Sequence, residues 1–268
     1  AAGQFGESTA VSREAPDSTW KNVSPSSPGL VGLSIAASHD SPDTVAVTTL
    51  SDGLARSTDG GTTWKRSREF VLQFFANQTS DAIYAQNLDD HLIVSHDFGL
   101  TWTTRSPIPE ESSITAVGQH LYRWGGFNPP SLFQSTNEGA SWTRSPLRIA
   151  PRLVAAAPSN PAIVYVLLEG SDERLRRSPD GGATWITVHS STGGGDLGLT
   201  AITVDRTNPN TLYSDGPLGV LMSVDAGRTW SRIAQSPRTG TSIIQDRNTP
   251  SRLYIATNSE GVWQIDIG

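Results

Sequence analysis

The sequence predicts an all-β fold, a six-bladed β-propeller built from four-stranded antiparallel blades. Three observations predict it. An octad of the form Ser-x-Asp-x-Gly-x-Thr-Trp occurs five times, its tryptophans recur at spacings of 38, 40, 43 and 45 residues, and no segment of helix length repeats its apolar residues at the helical period. A period in this range is typical of one four-stranded propeller blade.

Each repeat unit supplies its strands in a fixed order. A first apolar strand such as 153–156 is followed by a turn rich in Asn, Pro or Asp, and then by a second strand, as in "SNPAIVYV". Asn-Pro and Ser-Pro dipeptides favour turns, and the β-branched and aromatic residues after them favour strands. A third strand leads into the octad, and a fourth begins at its Thr-Trp. The second strands carry a tyrosine at one shared place, which predicts core positions for Tyr84, Tyr122, Tyr165, Tyr213 and Tyr254.

The octads at 57–64, 95–102, 135–142, 178–185 and 223–230 predict tight turns between the third and fourth strands. In such a turn the Asp side chain accepts hydrogen bonds from nearby backbone N–H groups, Gly adopts positive φ, and Trp buries surface between blades. The third octad has Asn137 and Ser141 in place of Asp and Thr, which preserves local hydrogen bonding but removes the carboxylate. A structural role is therefore predicted for the octads. The residues that carry it are Ser57, Asp59, Gly61, Trp64, Ser95, Asp97, Gly99, Trp102, Ser135, Asn137, Gly139, Trp142, Ser178, Asp180, Gly182, Trp185, Ser223, Asp225, Gly227 and Trp230.

The two ends of the sequence predict how the propeller closes. The last unit supplies three strands and has no octad, whereas "DSTW" at 17–20 repeats the end of an octad one period before Trp64. We expect residues 19–23 to form a lone fourth strand that pairs with the C-terminal blade, because this pairing leaves no open sheet edge. The domain organisation predicted is a flexible N-terminal segment, 1–16, and a single six-bladed propeller, 17–268.

Composition excludes several classes of function. The 268 residues carry a net charge of −6 and no cysteine, which argues against nucleic-acid binding, a disulfide framework and thiolate metal sites. The five histidines have no partner four residues away, so no metal is predicted, and no cofactor is predicted either. No apolar run approaches the length of a membrane span. The small, polar first residues without an initiator Met favour a secreted or periplasmic protein, which we expect to be a monomer.

The five octads resemble the Asp-box, or BNR, repeat, and the resemblance covers the chain from about residue 17 to 268. The resemblance implies a β-propeller whose octads lie away from the usual binding face. It does not imply one function, since sialidases, xyloglucanase-type glycoside hydrolases, sortilin receptors and photosystem II assembly factors all carry the repeat.

Ligands of propellers usually bind at the face formed by the loops between second and third strands and between blades. The segment "RWGGFNPPS" at 123–131 interrupts the repeat on this face, and exposed aromatic residues beside Arg suit sugar stacking or a protein contact. The candidate binding residues are Arg123, Trp124, Phe127, Arg174 and Asp196. Their predicted partner is a protein or carbohydrate ligand on the loop face.

These features predict a non-catalytic secreted or periplasmic module that binds a protein or a glycan. A glycoside hydrolase of sialidase-like or related type is the alternative, and an assembly factor resembling the photosystem II helper is a further one. Glycosidases need two facing carboxylates, and the sequence gives no spacing that selects a pair. The acids expected on the loop face are Asp89, Asp90, Glu169, Asp172, Glu173, Asp196, Asp215 and Glu260.

Overall fold

The computed structural model describes most of the chain as strands and turns. The described residues are 2–5, 8–14, 20–22, 32–49, 53–71, 73–109, 112–125, 131–147, 149, 151–168, 174–190, 197–236, 240–257 and 262–267, and no helix occurs among them. The chain forms two compact units, Ala1–Glu110 with Asn137–Ser141, and Glu111–Thr136 with Trp142–Gly268.

The first unit contains three antiparallel sheets, each with its strands in chain order. An N-terminal sheet has strands β1 (Ala2–Phe5), β2 (Ser8–Glu14) and β3 (Trp20–Asn22). Blade 1 has β4 (Gly32–Ala37), β5 (Val45–Thr49), β6 (Gly53–Ser57) and β7 (Lys65–Arg66). Blade 2 has β8 (Phe74–Ala76), β9 (Ile83–Gln86), β10 (His91–Ser95) and β11 (Thr103–Pro107).

The second unit contains four blades of the same kind. Blade 3 has β12 (Ser113–Val117), β13 (His120–Trp124), β14 (Phe133–Ser135) and β15 (Thr143–Arg144). Blade 4 has β16 (Pro151–Ala157), β17 (Asn160–Leu168), β18 (Arg174–Ser178) and β19 (Ile186–Ser190). Blade 5 has β20 (Ala201–Val204), β21 (Leu212–Gly216), β22 (Gly219–Ser223) and β23 (Ser231–Ala234). Blade 6 has β24 (Gly240–Gln245), β25 (Arg252–Thr257) and β26 (Val262–Asp266).

The predicted fold class is confirmed: the protein is an all-β propeller of six antiparallel blades. Each of the five octads connects the third strand of its blade to the fourth. The blade period of the sequence therefore corresponds to one sheet, and the octad marks the last turn of that sheet.

The octad turns are held together by their own side chains. In the first one, Ser57 Oγ donates to Asp59 Oδ1 at 2.7 Å and accepts from Gly61 N at 2.8 Å, while Asp59 Oδ2 accepts from Thr63 Oγ1 at 2.6 Å. The fourth and fifth octad residues both have positive φ, as at Gly60 (68°) and Gly61 (91°). The fifth residue is glycine in all five octads, as this conformation favours, whereas the fourth is Phe98, Glu138 or Ala226 in three of them. The bonds from Thr63 and Ser57 lower the pKa of Asp59 to about 2.

The core of each unit lies where one blade packs on the next. Tyr122 and Tyr165 are fully buried, and their hydroxyls reach the following blade, where they donate to the backbone oxygens of Pro161 at 2.7 Å and Pro209 at 2.8 Å. Tyr84 and Tyr213 are also buried, whereas Tyr254 is half-buried, so the prediction of core positions is confirmed for four of the five second-strand tyrosines. The octad Trp185 is half-buried against this packing, and its Nε1 donates to Ser145 Oγ at 2.9 Å.

The predicted closure is not confirmed. Strand β3 pairs with β2, through Ser12↔Asn22 and Glu14↔Trp20, and the C-terminal sheet has three strands in the order β24-β25-β26. A strand of three residues forms few ladder bonds, and β2 is only five residues away along the chain, so this local pairing has a low loop-closure cost. The segment 1–16, expected to be flexible, contains β1 and β2.

Candidate functional site

The candidate site lies at one edge of the blades of the second unit. In each blade the strands are antiparallel, so the start of the first strand pairs with the end of the second, as in Ala201↔Asp215 of blade 5 and Gly240↔Thr257 of blade 6. We call this the loop-bearing edge, defined by the starts of β12, β16, β20 and β24 and the ends of β13, β17, β21 and β25. The octads of blades 4 and 5 lie at the opposite ends of these two blades.

Arg123, a predicted binding residue, lies inside its blade instead of on the surface. Its side chain is 5% exposed, and its guanidinium stacks 4.8 Å from the centre of the Phe133 ring and 4.7 Å from that of Trp142. Burial lowers the pKa of Arg123 to about 10. A guanidinium enclosed by two aromatic rings stabilises the blade.

The other predicted binding residues are placed only in part. Trp124 is half-buried at the end of β13 and packs against a core that contains Leu132 and Leu147. Arg174 is the first residue of β18, where its backbone pairs with Leu168 and Ser190. The remaining two predicted residues, Phe127 and Asp196, lie outside the described residues. Of the five predicted residues, the structure thus describes Arg123 and Trp124 in blade 3 and the backbone of Arg174 in blade 4.

Three of the acids expected on the loop face are described. Asp89 and Asp90 lie in the turn between β9 and β10, where Asp90 has a φ of 58° and accepts from Gln86 Nε2 at 3.0 Å. The Asp90 carboxylate is thus hydrogen-bonded to a residue next to its own turn. The acids Glu169, Asp172, Glu173, Asp196 and Glu260 lie outside the described part of the chain. Asp215 is the third described acid.

Asp215 is a buried carboxylate at the loop-bearing edge of blade 5. Its exposure is 0%, Oδ2 accepts a hydrogen bond from the backbone N–H of Gly240, and Oδ1 has no hydrogen-bond partner among the described residues. Burying a polar atom without a partner costs about 1–3 kcal/mol, so each case in a native structure requires an explanation.

A tight hairpin explains why Asp215 lies at this position. Strands β21 and β22 pair through Gly216 and Gly219, which leaves two residues, Pro217 and Leu218, for the turn. Gly219 has a φ of 101°, a conformation that favours glycine. The sequence "SDGPLG" therefore ends β21 at Gly216, one residue after Asp215. This hairpin is the signal that could have singled out Asp215 from the other acids.

Two further classes of function find no support in the described residues. No group of three His, Cys, Asp or Glu side chains that could hold a metal ion occurs among them. That part of the chain also has no helix long and apolar enough to cross a membrane.

Comparisons with known proteins find a repeat family model and two xyloglucanases that are similar to this chain. The BNR/Asp-box repeat family model matches residues 55–66, which include the first octad. The chain is 24% identical over 231 residues to a xyloglucanase of Paenibacillus sp, an alignment that covers 78% of this chain and 22% of that protein. It is 25% identical over 177 residues to a xyloglucanase of Hypocrea jecorina (strain QM6a), covering 53% of this chain and 21% of that protein. The chain thus spans about a fifth of the length of these relatives.

A solved structure supports the fold. The crystal structure of the GH74 enzyme of Niastella koreensis matches this chain with a TM-score of 0.64 and a sequence identity of 23%. The match covers 87% of this chain and 36% of that one. At this identity the likeness is evidence of a shared fold alone.

The comparisons contradict the predicted non-catalytic binding module. Both curated relatives are xyloglucanases, which favours the glycoside hydrolase alternative. The prediction failed because the octads, which dominate the sequence signal, are structural and carry no information about catalysis. The assembly-factor alternative stays a prediction. Five octad turns, six blades and the match to the repeat model lead to one conclusion: the chain is a β-propeller that carries Asp-box (BNR) repeats.

Proposed function

We propose that this chain is a secreted or periplasmic propeller with glycoside hydrolase activity on xyloglucan. The observation that carries the proposal is the similarity to two xyloglucanases, one of which aligns with 78% of this chain. Because the chain spans about a fifth of each relative, the activity of the whole protein is part of the proposal.

We assign an acid–base role to Asp215. Glycoside hydrolysis uses carboxyl groups on either side of the scissile bond, one of which transfers a proton to the leaving oxygen. Asp215 lies at the loop-bearing edge, one of its oxygens is fixed by a backbone N–H group, and the other has no partner among the described residues. Such a carboxyl group has a defined orientation and one oxygen that accepts no hydrogen bond from the described residues.

The test compares two buried acids of blade 5. Asp205 lies at the opposite edge from Asp215, is 8% exposed, and accepts from Gln245 Nε2 at 2.7 Å and from Thr207 N at 2.9 Å. Asp215→Asn and Asp205→Asn each replace a buried carboxylate by an amide of the same shape. Reducing-end release from xyloglucan is measured for the wild type and both variants, with cellulose and xylan as other substrates.

The expected outcome distinguishes the two acids. The wild type hydrolyses xyloglucan, Asp215→Asn lowers kcat by about 10²–10⁴-fold, and Asp205→Asn keeps the wild-type kcat per folded molecule. Absence of hydrolysis by a folded wild type on all three polysaccharides would contradict the proposed activity. Equal kcat for Asp215→Asn and the wild type would contradict the role of Asp215.

A further inference from the structure

Thr200 connects blades 5 and 6 at the loop-bearing edge. Its backbone N–H donates to the backbone oxygen of Asp215 at 3.0 Å. Its hydroxyl Oγ1 lies 2.8 Å from the same oxygen and 3.1 Å from the backbone oxygen of Gly240. One half-buried side chain therefore contacts the backbones of both residues that define the geometry of the Asp215 carboxylate.

Gly240 can approach the carboxylate because it has no side chain. A Cβ at this position would lie 2.5 Å from Ile255 Cγ2 and 2.7 Å from Asp215 Oδ2. Both distances are shorter than any non-bonded contact of a real Cβ, so another residue would displace either the carboxylate or blade 6. The hydrogen bond from Gly240 N to Asp215 thus depends on glycine.

We infer that Thr200 and Gly240 are positioning residues that hold the Asp215 carboxylate in one orientation, an inference that rests on the proposed function of Asp215. Thr200 fixes the backbones of Asp215 and Gly240 relative to each other, and the Gly240 N–H then fixes Oδ2. Oδ1 is left in a defined direction for proton transfer. Proton transfer depends steeply on geometry, since a displacement of about 1 Å can cost about 10²-fold in rate.

The test uses variants that change the Thr200 hydroxyl and keep its volume. Thr200→Val removes the hydroxyl, and Thr200→Ser restores it. Thr203→Val, three residues further along in β20 and also half-buried, is the matched control. Steady-state hydrolysis of xyloglucan gives kcat and KM, and amide hydrogen exchange reports the protection of the Gly240 N–H group.

We expect Thr200→Val to lower kcat by about tenfold, the effect of losing about one hydrogen bond, with KM changed by less than about twofold. Thr200→Ser restores kcat to within about threefold of the wild type, and Thr203→Val leaves it unchanged. Thr200→Val also accelerates exchange of the Gly240 amide by about tenfold or more.

The two readouts separate this inference from the proposed function. If the wild type does not hydrolyse xyloglucan but Thr200→Val still accelerates Gly240 exchange, the proposed function fails and the effect of Thr200 on Gly240 stands. If Thr200→Val changes neither kcat nor Gly240 exchange in an active enzyme, the inference is overturned. If Thr200→Ser is as slow as Thr200→Val, the hydroxyl is not the positioning group and the inference is also overturned.

Discussion

Replacing the buried serine of an octad tests the structural role of these turns. In the fourth octad, Ser178 Oγ accepts from Gly182 N at 2.7 Å and donates to Asp180 Oδ1 at 2.8 Å, and Ser178 is fully buried. Ser178→Ala leaves the Gly182 N–H group without an acceptor inside the protein. An unsatisfied buried donor costs about 1–3 kcal/mol, and loss of the bond to the Asp180 carboxylate adds to this.

We therefore expect Ser178→Ala to lower the free energy of unfolding by about 2–3 kcal/mol. For a protein of this size the melting temperature falls by about 2–4 °C per kcal/mol, which corresponds to about 4–12 °C. Urea unfolding monitored by tryptophan fluorescence gives the free energy, and calorimetry gives the melting temperature.

The matched control is on the exposed side of the same turn. Thr184 Oγ1 donates to Asp180 Oδ2 at 2.7 Å, but Thr184 is exposed, so Thr184→Val costs less than about 1 kcal/mol. A loss below about 0.5 kcal/mol for Ser178→Ala, or equal losses for the two variants, would refute the reasoning that burial of the serine bonds stabilises the turn.

Three further predictions follow from the structure. Trp102→Ala lowers the free energy of unfolding by about 2–4 kcal/mol, which is less than for a fully buried aromatic residue because Trp102 is half-buried. Trp263, which is 40% exposed, is the control, and Trp263→Ala costs under about 1 kcal/mol in the same urea titration. Tyr165→Phe removes the hydroxyl that donates to the next blade and costs about 1 kcal/mol, and a melting temperature equal to that of the wild type would contradict that role. The octad hydrogen bonds lower the pKa of Asp59 and Asp225 to about 2, below the value of 3.8 in the unfolded chain. The stabilisation of the fold by these two carboxylates is therefore complete above pH 4 and is lost as the pH falls toward 2. Melting curves between pH 6 and pH 2 check this, and a melting temperature independent of pH in that range would contradict it.

The blade architecture could be predicted from the sequence because its signals are local and repeated. Each octad fixes a turn through bonds between residues at most four positions apart, as between Ser57 and Gly61. The tyrosines recur at one place in the second strand, and burial of Tyr122 and Tyr165 follows from that position. Local bonds and periodic burial are the properties that a single sequence displays directly.

The closure could not be predicted, because the sequence shows that a segment suits a strand but not which edge it joins. Strand β3 has three residues and pairs with β2, its neighbour along the chain. Register and partner are weakly specified for so short a strand.

The candidate site was found only in part, because its contacts are distant in sequence. Arg123 was expected at the surface, yet the rings that enclose it come from Phe133 and Trp142 on other segments of the blade. Asp215 was one of eight candidate acids, and its contact with Gly240 joins residues 25 positions apart. Thr200 was missed because a single threonine before a strand carries no recognisable pattern.

The most direct test of the account is the initial rate of reducing-end release from purified xyloglucan by the folded chain, with Asp215→Asn measured beside it. The account predicts a rate that rises in proportion to the concentration of the wild type and falls by about 10²-fold or more in the variant. A folded wild type that leaves xyloglucan intact, or a variant as fast as the wild type, would contradict it.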